Sequence, residues 1–329
     1  MTESRLSQVD NLKLTMPALG IDLGGTKIRA AAVLNNKLVS DPQEVPTPSG
    51  AENIVNAILG LIEKFQAKHV LAGVGIATAG IIDGDTGEVV GSTGNLPGWT
   101  GTPIRTAIES RTLLPVHVEN DANAAAFGEA SARNLRHLNS VCVVTLGTGI
   151  GGGLIIDGKL FRGAHFGAGE VGHSRISLGN KRLCTCGLFD CWEAYGSGRG
   201  MVATAREILV GLNADQTPLV ALGSNLTTRN IVAAAAKGDI VAQRAISMWH
   251  EHVAVGIVNL AHILDPSVFV LTGGMAECVD FALIHEMVVD RCMSRIGENM
   301  RIEKSELHGV AGIIGAAELV LDAILERAS

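Results

Sequence analysis

The sequence predicts an ordered α/β protein built from two related lobes, and three observations carry that expectation. The 329 residues include 40 glycines against 9 prolines, the balance of a chain with many tight turns. The length suffices for two domains. A strand, a glycine turn and a second strand occur twice, as "GIDLGGTKIRAAAV" and again as "VTLGTGIGGGLII". Glycine hairpins are common, so coincidence is the competing account of this near-repeat.

The elements follow in order. Residues 1 to about 17 are polar, lack periodicity and read as a frayed terminus. "ALGIDLGGTKIRAAAVL" is strand, turn, strand, and "KLVSDPQEVPT" reads as a third strand. Glu52 to Lys68 has helical spacing, with Ile54, Ile58, Leu61 and Phe65 on one face. "HVLAGVGIATAG" is a buried strand. "GEVVGSTGNLPGWTGTPI" is loop-like, and Thr102-Pro103 suits a helix start as cap and first residue. "LPVHVEN" is a short strand, and "DANAAAFGEASA" the helix after it. "SVCVVTLGTGIGGGLIIDGKL" repeats the opening pattern. Beyond Glu193 the chain turns mainly helical, with a late strand-turn-helix in "PSVFVLTGGMAE" and a closing helix in "GIIGAAELVLDAILE".

Composition narrows the function. A formal charge of −7 disfavours a general nucleic-acid binder, which carries a basic face. No apolar run approaches bilayer length, and the start lacks a signal-peptide core, so a cytoplasmic protein without membrane contact is expected. Three of the six cysteines fall in "CTCGLFDCWE". In a reducing compartment such a cluster points to metal binding or catalysis before disulfides.

Three glycine turns stand at strand ends: Gly24-Gly25-Thr26, Gly147-Thr148-Gly149 and Gly273-Gly274. Glycine lets backbone N–H groups approach a phosphate and tolerates positive φ. The three together suggest nucleotide contacts, with purely structural hairpins as the alternative. No Walker A run is present. Gly147, Gly149 and Gly152 match GxGxxG, but a dinucleotide fingerprint must open a helix, and here a strand continues.

Two carboxylates stand beside these features. Asp121 lies where a strand gives way to a helix, and a helix N-terminus stabilises a carboxylate. It is either a first-turn acid or a base that accepts a hydroxyl proton during phosphoryl transfer. Asn120 beside it can cap the helix or bind a hydroxyl. Asp22, next to the first turn, is placed to meet Mg²⁺ through water. "GAGEVGH" adds Glu170 and His173, which with Glu193 flank the cysteine cluster. Sugars call for such mixed donors and acceptors. A lone surface Glu and a satisfied His are the bland readings.

With "DLGGTK", "VENDANAAAFGE", "LGTGIGGGLI", "GEVGH", "CTCGLFDCWE" and "LTGGM" in order over about 250 residues, the chain resembles the ROK family of sugar kinases and repressors. The pairing of "GEVGH" with CxCGxxxC-x-E is the specific part. The resemblance implies a two-lobed actin-like ATPase fold of the sugar kinase–heat-shock chaperone–actin group, with ATP and sugar in the cleft. It implies a small lobe of residues 18–120 plus 310–329 and a large lobe of 121–309 with a metal loop. By resemblance, Asp22, Gly24, Gly25, Thr26 and Lys27 form the first phosphate loop, Gly147, Thr148 and Gly149 the second, and Gly273 and Gly274 the adenosine loop. Asp121 resembles the general base. Asn120, Glu170, His173 and Glu193 resemble sugar ligands, helped by Gly80 and Asn95. His173, Cys184, Cys186 and Cys191 resemble ligands of a structural zinc. The implied activity is transfer from ATP, with Mg²⁺, to the 6-hydroxyl of a hexose, glucose first among the candidates. N-acetylmannosamine or fructose is the runner-up substrate, and a sugar-responsive regulator the alternative from another class. Family members are often dimers or tetramers, so a homo-oligomer is expected. One departure stands out: Asp190 occupies the place where the family pattern has glycine, which puts the turn at the third cysteine in question.

Overall fold

The computed structural model describes residues 15–91, 96–307 and 309–328. The expected frayed terminus lies outside these residues as far as position 14, and so does Asn95. Contacts divide the chain into two compact units. The first comprises Met1–Val141, Gly153–Gly169 and Glu306–Ser329, and the second Cys142–Gly152 and Glu170–Ser305.

In the first unit, β1 (Ala18–Leu23) and β2 (Lys27–Leu34) form an antiparallel hairpin. β3 (Lys37–Leu38) and β4 (Gln43–Pro46) both pair with β2, so the expected third strand is two short ones. β5 (Val74–Thr78) pairs parallel with β1, and β8 (Val116–Asn120) parallel with β5. A small separate hairpin joins β6 (Ile81–Ile82) to β7 (Val89–Gly91). Helix α1 (Ala51–Gln66) buries the predicted Ile54, Ile58, Leu61 and Phe65 with Leu19, Ile21 and Ile76 of the sheet. Helix α2 (Ile104–Thr112) begins one residue later than expected, because Pro103 takes the cap position and Thr102 makes no side-chain cap.

The closing helix α10 (Ala311–Ala328) covers the other face, packing Ile313, Ala317 and Val320 against Ala18, Ala31 and Val33. It lies close enough that a Cβ on Gly20 would come within 1.9 Å of the Ile313 carbonyl, and one on Gly75 within 1.7 Å of the Ala316 carbonyl. Helix α3 (Asp121–Ala132) meets α10 in the same way: Gly128 faces the Ala311 carbonyl and Gly315 the Ala124 carbonyl. This contact puts α3 in the first unit, where the expected boundary at 121 had placed it in the second. Residues 153–169 join it because Gly153 packs against Ala126 and Arg162 pairs with Glu119.

β9 (Ser140–Leu146) and β10 (Ile150–Ile156) carry the chain from one unit to the other. The second sheet runs β11-β10-β9-β12-β13, with β11 (Lys159–Leu160), β12 (Val268–Thr272) and β13 (Ile302–Lys304). The order matches β3-β2-β1-β5-β8, and both hairpins close on a three-residue turn, so the near-repeat in the sequence is a repeat in topology. The second unit is otherwise helical: α4 (Glu193–Gly196), α5 (Gly198–Leu209), α6 (Thr228–Ala236), α7 (Ile240–Leu264), α8 (Phe281–Val289) and α9 (Ser294–Gly297). The late strand β12 ends in a 3₁₀ turn, and its helix, α8, starts only at Phe281. Among the described residues no helix is long and apolar enough to cross a membrane.

Gly315→Ala should destabilise the fold by about 2–3 kcal/mol, the cost of overpacking where only backbone can yield. Gly60→Ala, in α1 with open space at its Cβ, should instead stabilise by about 0.5–1 kcal/mol. Urea melts of the two variants check both signs.

Candidate functional site

The strand-to-helix junction in the first unit organises the predicted catalytic residues. Asn120 ends β8 and caps α3: its Oδ1 accepts from the Ala122 and Asn123 amides at 2.9 and 3.1 Å. Its Nδ2 donates to the Gly80 carbonyl at 3.0 Å. Gly80 itself has φ +115°, a backbone conformation that suits glycine. One Nδ2 hydrogen is therefore what Asn120 has left for a substrate oxygen. With the cap already supplied, Asp121 is the first helical residue; it is exposed, and its Oδ1 accepts from the Ala122 amide at 2.9 Å.

Beneath the junction lies a charge pair that sequence reasoning passed over. Glu119 is buried, and its Oε1 accepts from the Asn120 amide at 3.0 Å and from Asn123 Nδ2 at 3.1 Å. Its Oε2 accepts from Arg162 Nε at 2.7 Å. Burial pushes this carboxyl up, but His117 and the Arg162 guanidinium more than offset it and hold Glu119 below the usual range. The signal was present as a glutamate inside an apolar strand, which demands a partner. That partner is 43 residues away in sequence.

The first glycine turn closes with the Gly24 amide donating to the Lys27 carbonyl at 3.0 Å. Thr47, also unforeseen, donates its hydroxyl to the Gly24 carbonyl at 2.7 Å. Gly25 and Thr26 sit at the exposed tip. Lys27 pairs with Glu44, and Asp22 with Arg29 at 2.5 Å, across the β1–β2 register. A cation at Asp22 would share the carboxylate with Arg29. Trp99 is fully buried, and its indole donates to Thr78 Oγ1 at 3.0 Å.

In the second unit the Gly147 amide donates to the Gly149 carbonyl at 2.9 Å, closing the second turn around Thr148. Gly273, at φ +90°, brings the third turn against the Leu146 carbonyl, which a Cβ would approach to 2.4 Å. Gly274 beside it has open space where its Cβ would stand. The first and second turns thus belong to different units, and the second and third meet within one.

The cysteine cluster converges. One ligand atom each from His173, Cys184, Cys186 and Cys191 lies within 4.8 Å of the others. Cys184 Sγ is 3.6 Å from His173 Nδ1, and Cys186 Sγ 3.6 Å from Cys191 Sγ. A tetrahedral zinc with bonds of about 2.0–2.3 Å separates its ligands by about 3.4–3.8 Å, so the donor set and spacing fit that ion. All six cysteines are free thiols. Burial pushes the Cys184 and Cys191 thiols up, Cys191 to about 12, which argues against a nucleophile. With Nδ1 in the cluster, His173 Nε2 faces Glu170 Oε2 at 3.7 Å.

Asp190 answers the question its position raised. It adopts φ +60°, a conformation that favours glycine, and repays it with its buried carboxylate. That group accepts from the Lys181 and Arg182 amides at 3.0 Å and from the Tyr195 hydroxyl at 2.7 Å, and these bonds hold its pKa at about 2. Farther on, Trp192 donates its indole to the His252 carbonyl at 2.9 Å and packs on Gly256, fastening the loop to α7.

Glu193, expected as a sugar ligand, is bonded within the protein on both carboxylate oxygens. It is 8% exposed. Its Oε2 accepts from the Ile150 amide at 3.0 Å, and its Oε1 from Thr185 Oγ1 at 2.7 Å.

Comparison with known proteins gives the chain its kinship. The ROK family profile matches residues 18–323. The glucokinase of Streptomyces coelicolor is 37% identical over 92% of this chain and 96% of its own. The N-acetyl-D-glucosamine kinase of Aliivibrio fischeri is 35% identical over 91% of this chain and 98% of its own. The crystal structure of a ROK family glucokinase from Streptomyces griseus, in complex with glucose and AMPPNP, superposes with a TM-score of 0.73 at 34% identity. It covers 92% of this chain and 98% of that one. The actin-like α/β fold expected of such proteins is the fold of this chain, and the chain belongs to the ROK family.

Proposed function

We propose that the chain is an ATP-dependent hexose kinase that phosphorylates the 6-hydroxyl of glucose, with Asp121 as general base. The observation that carries this is the division of labour at the head of α3. Asn120 caps the helix, so Asp121 is exposed at a helix N-terminus and not consumed as the cap. The sugar oxygen forms a bond to the γ-phosphorus as the bond to the β–γ bridging oxygen breaks, and the hydroxyl proton passes to the Asp121 carboxylate. Asn120, Glu170, His173 and Glu193 serve as sugar ligands, with Gly80 setting Asn120. The turns at Gly24–Thr26 and Gly147–Gly149 offer backbone amides to phosphate, Lys27 adds charge, and Gly273 and Gly274 make room for the adenosine. Mg²⁺ near Asp22 would neutralise phosphate charge. Zinc held by His173, Cys184, Cys186 and Cys191 would fix the imidazole so that Nε2 is directed at the sugar and Glu170.

The kinship with glucokinases supports glucose, and the kinship with an N-acetyl-D-glucosamine kinase supplies the strongest competing sugar. A kcat/KM panel with ATP should rank glucose above mannose, N-acetylmannosamine, N-acetylglucosamine and fructose. A higher value for any of them reassigns the substrate. A regulator without activity would show sugar binding but no turnover with any of the five.

Asp121→Asn should lower kcat by roughly 10²–10⁴ while glucose still binds. A kcat within threefold of wild type removes Asp121 from the role of base. Elemental analysis should find about one zinc per chain, and Cys186→Ala should lower that content sharply.

A further inference from the structure

Residues 193–199 surround the second glycine turn on one side. The Gly198 amide donates to the Gly147 carbonyl at 2.8 Å, and Arg199 Nε to the Thr148 carbonyl at 3.0 Å. Glu193 Oε2 takes the Ile150 amide and stands where a Cβ on Gly149 would come within 2.3 Å of it. The turn's first two carbonyls and the amide just after it are therefore held by one short segment. Among the described residues, none accepts from the Thr148 or Gly149 amide, which leaves those two donors for a phosphate.

The other carboxylate oxygen reaches into the metal loop. Glu193 Oε1 accepts from Thr185 Oγ1 at 2.7 Å, with Cys184 Sγ at 3.6 Å and Arg199 Nη2 at 3.5 Å. Thr185 lies between two of the metal-cluster cysteines and is exposed. A carboxylate this close to a phosphate-binding turn would repel the ligand if it could swing toward it. Bonded on one oxygen to Ile150 and on the other to Thr185, it cannot do so without breaking a charge-assisted bond.

We propose that Glu193 is a positioning residue for the second phosphate turn, held in place by Thr185, so that the metal loop sets nucleotide affinity as well as the sugar ligands. This rests on the reading of Gly147–Gly149 as a phosphate turn. A glutamate acting on sugar alone would leave nucleotide binding unchanged when Thr185 is altered.

The test is Thr185→Val, which keeps the shape and removes the donated bond without replacing any metal or sugar ligand. Calorimetry with a non-hydrolysable ATP analogue and Mg²⁺, without sugar, should show affinity about tenfold weaker than wild type, the effect of losing one bond to a charged group. Zinc content and melting temperature should stay at wild-type values, and Thr185→Ser should return the affinity to within twofold. Glu193→Gln, measured in the same way, should also weaken nucleotide binding and serves if Thr185→Val does not fold. Nucleotide affinity within twofold of wild type in the folded variants overturns the proposal, whatever happens to glucose affinity. A wild-type protein that binds no ATP analogue fails the kinase reading itself, and this inference falls with it.

Discussion

Backbone-to-backbone packing of α10 is the constraint on which the first unit depends. Gly20 and Gly75 let the helix rest on β1 and β5, and Gly128 and Gly315 let it touch α3. Close approach of this kind brings dispersion contacts that larger side chains would prevent, and it allows almost no adjustment. Helix α3 begins at Asp121 and β1 ends just before the first glycine turn. The rigid packing of α10 therefore sets where both features stand within their unit.

Carboxylates in this protein are sorted by their partners. Glu119 is buried and neutralised by Arg162, so it supports the β8–α3 junction. Asp190 is buried, and its Oδ1 gathers two amides and a tyrosine hydroxyl, so it shapes the cysteine loop. Asp22 is paired with Arg29 on the adjacent strand. Asp121 is exposed at the head of its helix, accepts from the Ala122 amide and leaves the cap to its neighbour. Burying a charge is costly unless it is bonded, so these roles follow from location more than from residue type.

The second unit uses its cysteine loop as a scaffold. His173 and three cysteines bring their ligand atoms together, and Trp192 pins the end of the loop under α7. From that anchored end Glu193 reaches the second glycine turn. A short loop with exposed apolar residues such as Leu183 and Leu188 gains little order from burial, and the polar bonds of Asp190, Arg182 and Trp192 hold it instead.

By itself the sequence determined the hairpins with their glycine turns, the amphipathic face of α1, the repeat of one topology and the grouping of the cysteines. These are local: period, turn residues and ligand spacing all lie within a few residues of each other. The tertiary structure decided what depends on distant partners. It assigned α3 to the first unit, because Gly128 and Gly315 lie far apart in sequence and meet only in the fold. It gave Glu119 its Arg162 and the first turn its Thr47. It also turned Glu193 toward Ile150, since which way a buried carboxylate points depends on the donors that surround it, and no spacing rule contains them.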